Sequence, residues 1–213
     1  MATAADHEKS DRSAGPNSGH KRLWADERRA QLIEVASQIL AEDGVDGVRI
    51  PDVAARAGVS RPIVYKHFSN RQDILIGILE DFGESLRARF EEVLGPNPES
   101  MDIKPALRAV IESTCDVLED KGIGAWNLLS STGPDPDIEK IAARVRDSIL
   151  TPWVPKIGEV TGSSGNQVKS LSQMTAACAR TILGMWLEGN LDRQEAVTTL
   201  MRATTALLKE FSK

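Results

Sequence analysis

The sequence has few of the residues from which catalytic and metal sites are usually built. It contains two cysteines and three histidines. Two of the histidines, His7 and His20, lie in a polar N-terminal stretch. Glycine-rich phosphate-binding motifs, CxxC pairs and HExxH segments are missing from it. A Ser-His-Asp site would have to use His67. The sequence therefore argues against an enzyme, and we predict neither a cofactor nor a metal ion.

Long apolar runs are also missing. The polar first residues lack the apolar segment of a secretion signal. No later stretch approaches the roughly 20 apolar residues that span a bilayer. Cys115 and Cys178 lie far apart on helix-like patterns, so we expect free, buried thiols rather than a disulfide. These features predict a cytoplasmic protein without a membrane partner.

Charge is unevenly distributed along the chain, whose formal net charge is −5. Residues 21–72 carry nine basic and seven acidic side chains, whereas residues 73–213 carry fifteen basic and twenty-one acidic ones. A mildly basic segment followed by an acidic one permits DNA binding by the first and discourages it in the second.

Apolar residues recur with helical spacing, glycine and proline interrupt the pattern, and no segment alternates like a strand. We therefore predict an all-α protein of about nine helices. Residues 1–22 should form a disordered arm, residues 23–72 a three-helix domain, and residues 73–213 a helical bundle. Pro152 and Pro155 should kink or split one helix of this bundle.

The segment after Ile50 predicts a helix-turn-helix. Two short helices, expected near residues 51–57 and 61–68, are joined by a tight turn in which Gly58 tolerates positive φ. Ser60 can cap the second helix, and Pro62 suits its first turn. Asn70 then caps a long helix, with Asp73 placed to complete a capping box. This order is typical of helix-turn-helix proteins.

The outward side chains of this segment suit double-stranded DNA. Arginine and lysine can contact phosphates or guanine edges, tyrosine and histidine can donate hydrogen bonds, and isoleucine can contact a thymine methyl group. The predicted DNA-binding residues are Arg49, Ser60, Arg61, Pro62, Ile63, Tyr65, Lys66, His67 and Arg71.

The run from Arg28 to Leu75 closely resembles the N-terminal signature of TetR-type (TetR/AcrR) transcriptional regulators. The matching positions are Ala36, Gly44, Val53-Ala54, Ala57-Gly58-Val59-Ser60, Tyr65, His67-Phe68, Arg71 and Ile74-Leu75. The resemblance covers about the first third of the chain. It implies an Ω-shaped homodimer on a palindromic operator, with recognition helices about 34–36 Å apart. It also implies a small-molecule effector bound among the middle helices.

Three positions depart from the family pattern. Arg49 replaces a usual Thr or Ser, so a hydroxyl cap is lost and a phosphate contact is gained. The Arg61-Pro62 pair stands where Gly, Ala or Lys is common, which should alter the bases that are read. Arg71 replaces a usual Lys and presents a planar fork in place of a point charge.

The last two helices are strongly patterned, and Ala176, Ala177, Ala179 and Gly184 permit close helix packing, so we predict that these helices form the homodimer interface. Apolar and aromatic residues of the bundle are candidates for an effector pocket, although each could be plain core. The candidates are Phe82, Leu86, Phe90, Ile111, Cys115, Trp126, Leu129, Trp153, Met174, Trp186 and Cys178.

We therefore predict a ligand-responsive regulator, acting as a repressor that blocks polymerase by occupying its operator. Its effector should be hydrophobic or aromatic, since the bundle has no histidine and few acids on its apolar faces. Two alternatives stay open. A ligand-independent or architectural DNA-binding protein would have a filled core without a cavity, and a protein-interaction module would bind no duplex.

Overall fold

The computed structural model describes residues 17–95, 101–130 and 136–212, with side chains from residue 24 onward. Within these ranges the chain forms helices and no strands, which confirms the all-α prediction. The helices are α1 (Asn17–Gly47), α2 (Ile50–Arg56), α3 (Arg61–Tyr65), α4 (Arg71–Leu94), α5 (Ile103–Lys121), α6 (Ile123–Ser130), α7 (Pro136–Leu150), α8 (Val154–Thr161), α9 (Asn166–Leu187) and α10 (Arg193–Glu210). No helix of the described ranges is long and apolar enough to cross a membrane.

The first helix begins earlier than its sequence pattern indicates. Residues 17–22 are helical, so the predicted disordered arm is wrong for them, and residues 1–16 of that arm lie outside the described residues. The regular helix ends at Gly44, as its position predicted, because this glycine has φ 69° and ψ −172°. Residues 45–47 add a separate helical turn before α2.

Two prolines divide the predicted helix after Asp137. The helix α7 ends at Leu150, a 3₁₀ turn covers Thr151–Trp153, and α8 begins at Val154. This split confirms the effect expected of Pro152 and Pro155. The described chain therefore contains ten α-helices, one more than the predicted nine.

The helix α4 connects the two predicted domains without a break. Its N-terminal half buries Ile74 and Ile78 in the DNA-binding domain, and Phe82 and Leu86 lie further along in the bundle. These residues belong to one continuous hydrophobic cluster. A Cβ atom at Gly77 would lie 2.5 Å from Ile33 Cδ1, so this glycine permits close packing of α4 on α1.

The N-terminus of α4 is capped by two side chains. Asn70 Oδ1 accepts a hydrogen bond from Asp73 N at 2.9 Å, as predicted. The carboxylate of Asp73 accepts from Ser69 N at 2.9 Å, one residue before the expected partner. The predicted capping box is thus shifted, although both side chains satisfy otherwise free N–H groups.

The last two helices pack against each other, and α10 also packs against α5. The predicted capping box of α10 is present: Asp192 Oδ1 accepts from Glu195 N at 2.7 Å, and Glu195 Oε2 accepts from Asp192 N at 2.9 Å. Val197 and Leu200 are buried toward the main core, and Leu208 joins a smaller cluster with Ile157 and Leu171.

Candidate DNA-binding surface and effector cavity

The turn between α2 and α3 is closed by two backbone hydrogen bonds. Gly58 N donates to Ala55 O at 3.2 Å, and Val59 N donates to Ala54 O at 3.0 Å. These bonds form a Schellman motif, which places its glycine in the left-handed region. Gly58 has φ +66°, as the sequence predicted.

Replacing Gly58 with alanine should lower the free energy of unfolding by about 1–2 kcal/mol, because a left-handed residue with a Cβ is strained. No described atom lies within 4 Å of the added Cβ, so the loss would come from the backbone alone. Gly58→Asn is the matched control, since asparagine tolerates this region, and it should cost less. Equal losses in urea unfolding would contradict this explanation.

The helix α3 exposes one face and buries the other. Val64 and nearby Phe68 are fully buried, which fixes the helix against the rest of the domain. Arg61 and Lys66 are exposed, and Tyr65 keeps 57% of its surface accessible. A helix held on one side with basic and aromatic side chains on the other can enter a major groove.

The helix is shorter than predicted, because it ends at Tyr65 rather than at Phe68. Lys66 and His67 therefore belong to the following turn. His67 is half-buried, and burial lowers its pKa, with Arg29, Arg28 and Lys66 adding positive charge nearby. This shift favours the neutral imidazole, which has a single N–H to donate.

Three of the predicted DNA-binding residues have intramolecular surroundings that the sequence did not indicate. Arg71 forms an ion pair with Asp46 at 3.1 Å and also donates to Val45 O, so it anchors the last turn of α1. Arg49 is exposed, and its Nε donates to Asp46 O at 3.0 Å. Ser60 occupies the N-cap of α3, but its side chain makes no capping hydrogen bond within the described chain, which corrects that prediction.

Ser60 and Pro62 are exposed beside Arg61, and Ile63 is half-buried.

Sequence reasoning missed the two arginines of α1 that lie near His67. Arg29 lies over the Phe68 ring at 5.1 Å from its centroid and 3.9 Å from Glu80. Only the packing of α1 beside the turn after α3 reveals that Arg28 and Arg29 add charge to this surface.

A cavity of about 140 Å³ lies in the bundle among α4, α5, α6, α7, α9 and α10. Five of the predicted effector residues line it, and Trp153 lines a smaller adjoining cavity. The five are Leu86, Phe90, Ile111, Trp126 and Leu129. An engineered cavity of about 150 Å³ with similar apolar walls binds benzene, so this volume admits a small ligand.

The other predicted effector residues lie outside the described cavities. Phe82 and Cys115 are buried in the core, and Met174, Cys178 and Trp186 are half-buried packing residues. None of them lines the described cavities. Burial raises the pKa of the Cys115 thiol to about 11, so it stays neutral and unreactive.

The cavity wall contains polar residues that sequence reasoning missed. Among them are Ser130, Arg146, Thr175, Arg180 and Thr204. A usable signal was present for two of them, because Thr175 and Thr204 interrupt otherwise apolar stripes of α9 and α10. No comparable signal marks the two arginines, since charged residues are common along exposed helices.

The helix α6 connects the cavity to the DNA-binding domain. Trp126 and Leu129 line the cavity, and Gly124, one turn earlier, packs against α1. A Cβ at Gly124 would lie 2.8 Å from Ala41 N and 3.1 Å from Leu40 Cγ. Movement of α6 would therefore displace α1, which packs against α2 and supports the helix-turn-helix.

A helix-turn-helix with an exposed basic helix, joined to a helical bundle, is the architecture of a helix-turn-helix DNA-binding regulator. Comparison with known proteins places the chain more narrowly. The sequence model of bacterial regulatory proteins of the tetR family matches residues 32–78, which include α2, α3 and the turn between them. The segment containing the helix-turn-helix is thus similar to the TetR family of bacterial regulators.

Two curated relatives carry names that describe transcriptional regulation. The chain is 32% identical over 124 residues to the HTH-type transcriptional activator FasR of Mycolicibacterium smegmatis, covering 58% of this chain and 55% of that protein. It is 24% identical over 92 residues to the HTH-type transcriptional repressor KstR2 of Rhodococcus jostii, covering 43% and 44%. The chain thus spans about half the length of these relatives.

Solved structures share the fold of the chain. A TetR-family transcriptional regulator from Streptomyces coelicolor superposes with a TM-score of 0.71 at 24% identity, covering 87% of this chain and 82% of that one. A TetR-like regulator from Rhodococcus sp. RHA1 gives a TM-score of 0.68 at 13% identity, with coverages of 86% and 94%. These similarities extend the family fold through the bundle.

Proposed function

We propose that this protein is a transcriptional regulator that binds a palindromic operator as a homodimer and leaves it when a small apolar effector binds. The exposed face of α3 and the turn after it carry this proposal, because Arg61, Tyr65 and Lys66 are exposed there beside the buried Val64 and Phe68. The family match over residues 32–78 supports the same role for this surface. The proposed action is repression, since a dimer covering an operator excludes polymerase.

Fluorescence anisotropy with the DNA flanking its own gene tests the proposal, with scrambled duplex of equal length as the control. Salt-sensitive binding that prefers the flanking DNA, at two protomers or a multiple of two per site, is the expected result. Equal binding to both duplexes would favour an architectural protein, and absence of binding by the folded protein to all tested genomic fragments would reject the proposal.

Lys66→Ala should weaken binding to every duplex and reduce the slope of log affinity against log salt by about one unit, because one phosphate contact is lost. Lys140→Ala is the control, since Lys140 is exposed on α7, in the bundle rather than on the proposed DNA surface. A change confined to one base position would instead assign Lys66 to base readout.

The outer face of α9 is proposed as the centre of the dimer interface. Its residues Ala177 and Gly184 are small, and Met185 keeps 39% of its surface exposed. No described atom lies within 4 Å of a Cβ built at Gly184. Small residues allow two helices to approach closely, and exposed apolar residues favour a covered surface.

Gly184→Glu should convert the dimer to a folded monomer at micromolar concentration. The substitution places a charge in the proposed interface, while the single chain gains the better helix propensity of glutamate. Light scattering coupled to size exclusion measures the mass, and circular dichroism checks the fold. Lys140→Glu adds the same negative side chain at an exposed bundle site, and the proposal fails if both variants stay dimeric.

An effector response is proposed from the cavity and from the route through α6. A ligand-independent DNA-binding protein would have a filled core, whereas this bundle encloses about 140 Å³ beside Trp126 and Leu129. A ligand can shift the protein away from DNA only if it binds the DNA-free conformation more tightly. Contact between α6 and α1 can transmit a ligand-induced shift from the cavity to the helix-turn-helix.

A further inference from the structure

We propose that the effector is an apolar monocarboxylate, with its carboxylate bound to Arg180 and its hydrocarbon part in the cavity. This inference rests on the proposed effector response and names the chemistry of the ligand. It is carried by the charges of the cavity wall, by buried hydroxyl groups that have no partner among the described residues, and by the arrangement of two adjoining cavities.

The two arginines of the cavity wall differ in their partners. Arg146 donates to Leu129 O at 2.7 Å and forms an ion pair with Glu139 at 2.5 Å. Arg180 is half-buried on α9 and forms no hydrogen bond or ion pair with any residue that the structure describes. Within the described part of the chain, no acid compensates the positive charge of Arg180 at this apolar wall. A guanidinium binds a carboxylate by two parallel hydrogen bonds.

Buried hydroxyl groups lie in the same wall. Thr204 is only 3% exposed, and its Oγ1 has no hydrogen-bond partner within the described chain. Ser130 Oγ is likewise buried without a partner in that part of the chain. Both residues line the cavity. A buried hydroxyl without a partner is unfavourable, and an oxygen of a ligand would satisfy it.

The shape of the cavity orients the ligand. A second cavity of about 100 Å³ shares Leu107, Val110, Ile149 and Thr204 with the first. Arg180 lines only the first cavity, whereas Trp153 and Ile157 line only the second of this pair. The carboxylate therefore binds at Arg180, and the hydrocarbon chain extends past Thr204 toward Trp153.

Isothermal titration calorimetry with octanoate, 1-octanol and octylamine tests the head group while the hydrocarbon chain stays constant. The carboxylate is ionised at pH 7. We expect octanoate to bind about ten to a hundred times more tightly than octanol, because hydrogen bonds to charged groups contribute more than neutral ones. Octylamine should bind more weakly than both. Equal affinities for octanoate and octanol, or tighter binding of octylamine, would overturn the proposal.

Arg180→Gln should remove the preference for octanoate and leave the affinity for octanol unchanged. Arg202→Gln is the control, because Arg202 is exposed on α10 and lines none of the described cavities. The proposal is overturned if Arg180→Gln retains the preference. It is also overturned if the variant becomes monomeric with octanoate affinity unaltered, since Arg180 would then bind an acid of the other subunit.

Thr204→Val supplies a second readout. Removing a hydroxyl without a partner should raise the unfolding temperature of the free protein and reduce its stabilisation by octanoate. A lower unfolding temperature with unchanged octanoate affinity would make Thr204 purely structural and count against its role in the site. These measurements use no DNA, so failure of the carboxylate proposal is distinguishable from failure of operator binding.

Discussion

Replacing Phe82 with alanine should lower the free energy of unfolding by about 3–5 kcal/mol, because a fully buried aromatic ring leaves a void that the core cannot fill. Phe82 is 1% exposed and lies on α4 in the main core, away from the described cavities. The measurement is urea unfolding followed by circular dichroism. A loss below 1 kcal/mol would show that the ring is not packed as described.

Replacing Phe82 and Phe90 in turn with leucine separates core residues from residues of the proposed effector site. Phe82→Leu should retain most of the stability and leave the affinity for octanoate unchanged. Phe90→Leu is the matched variant on the same helix, because Phe90 lines the cavity. It should alter octanoate affinity. If Phe82→Leu alters that affinity as much as Phe90→Leu, Phe82 belongs to the site after all.

Gly124→Val should destabilise the protein by about 3 kcal/mol, because the added atoms overlap the backbone of α1. The nearest contact would be 2.8 Å from Cβ to Ala41 N, and a main-chain atom cannot move aside as a flexible side chain can. Thermal and urea unfolding measure this loss. Binding to operator DNA should weaken as well, because α1 supports the helix-turn-helix.

A neighbouring position on α6 provides the control for Gly124. Asn127 is exposed, so Asn127→Val introduces the same side chain into the same helix without a clash. It should change stability only by the small helix propensity of valine. Gly124→Ala should fall between the two variants. If Gly124→Val is as stable as Asn127→Val, the two helices do not pack as closely as the structure indicates.

The helix-turn-helix and the helix caps were largely predictable because their determinants are local. The positive φ of Gly58, the caps at Asn70 and Asp192, and the spacing of Val53, Ala54 and Val64 depend on residues a few positions apart. The chain reaches these conformations through nearby hydrogen bonds and steric restrictions, which a sequence displays directly.

The role of Arg71 shows where local reasoning ends. Its position at the start of α4 suggested a phosphate contact, but the structure pairs it with Asp46, which lies before α2. The end of α3 was also not predictable from local pattern. The backbone hydrogen bonds of Lys66 and His67 form a non-helical turn, so the helix stops at Tyr65.

The sequence by itself determined the helical class, the helix-turn-helix and the residues exposed on it, because periodicity, caps and turns are short-range properties. Only the tertiary structure decided which apolar residues enclose a cavity and which fill the core, since that depends on how six helices meet. It alone placed Arg180 in the cavity wall and brought Gly124 against Ala41, because such juxtapositions join residues that are distant in the chain.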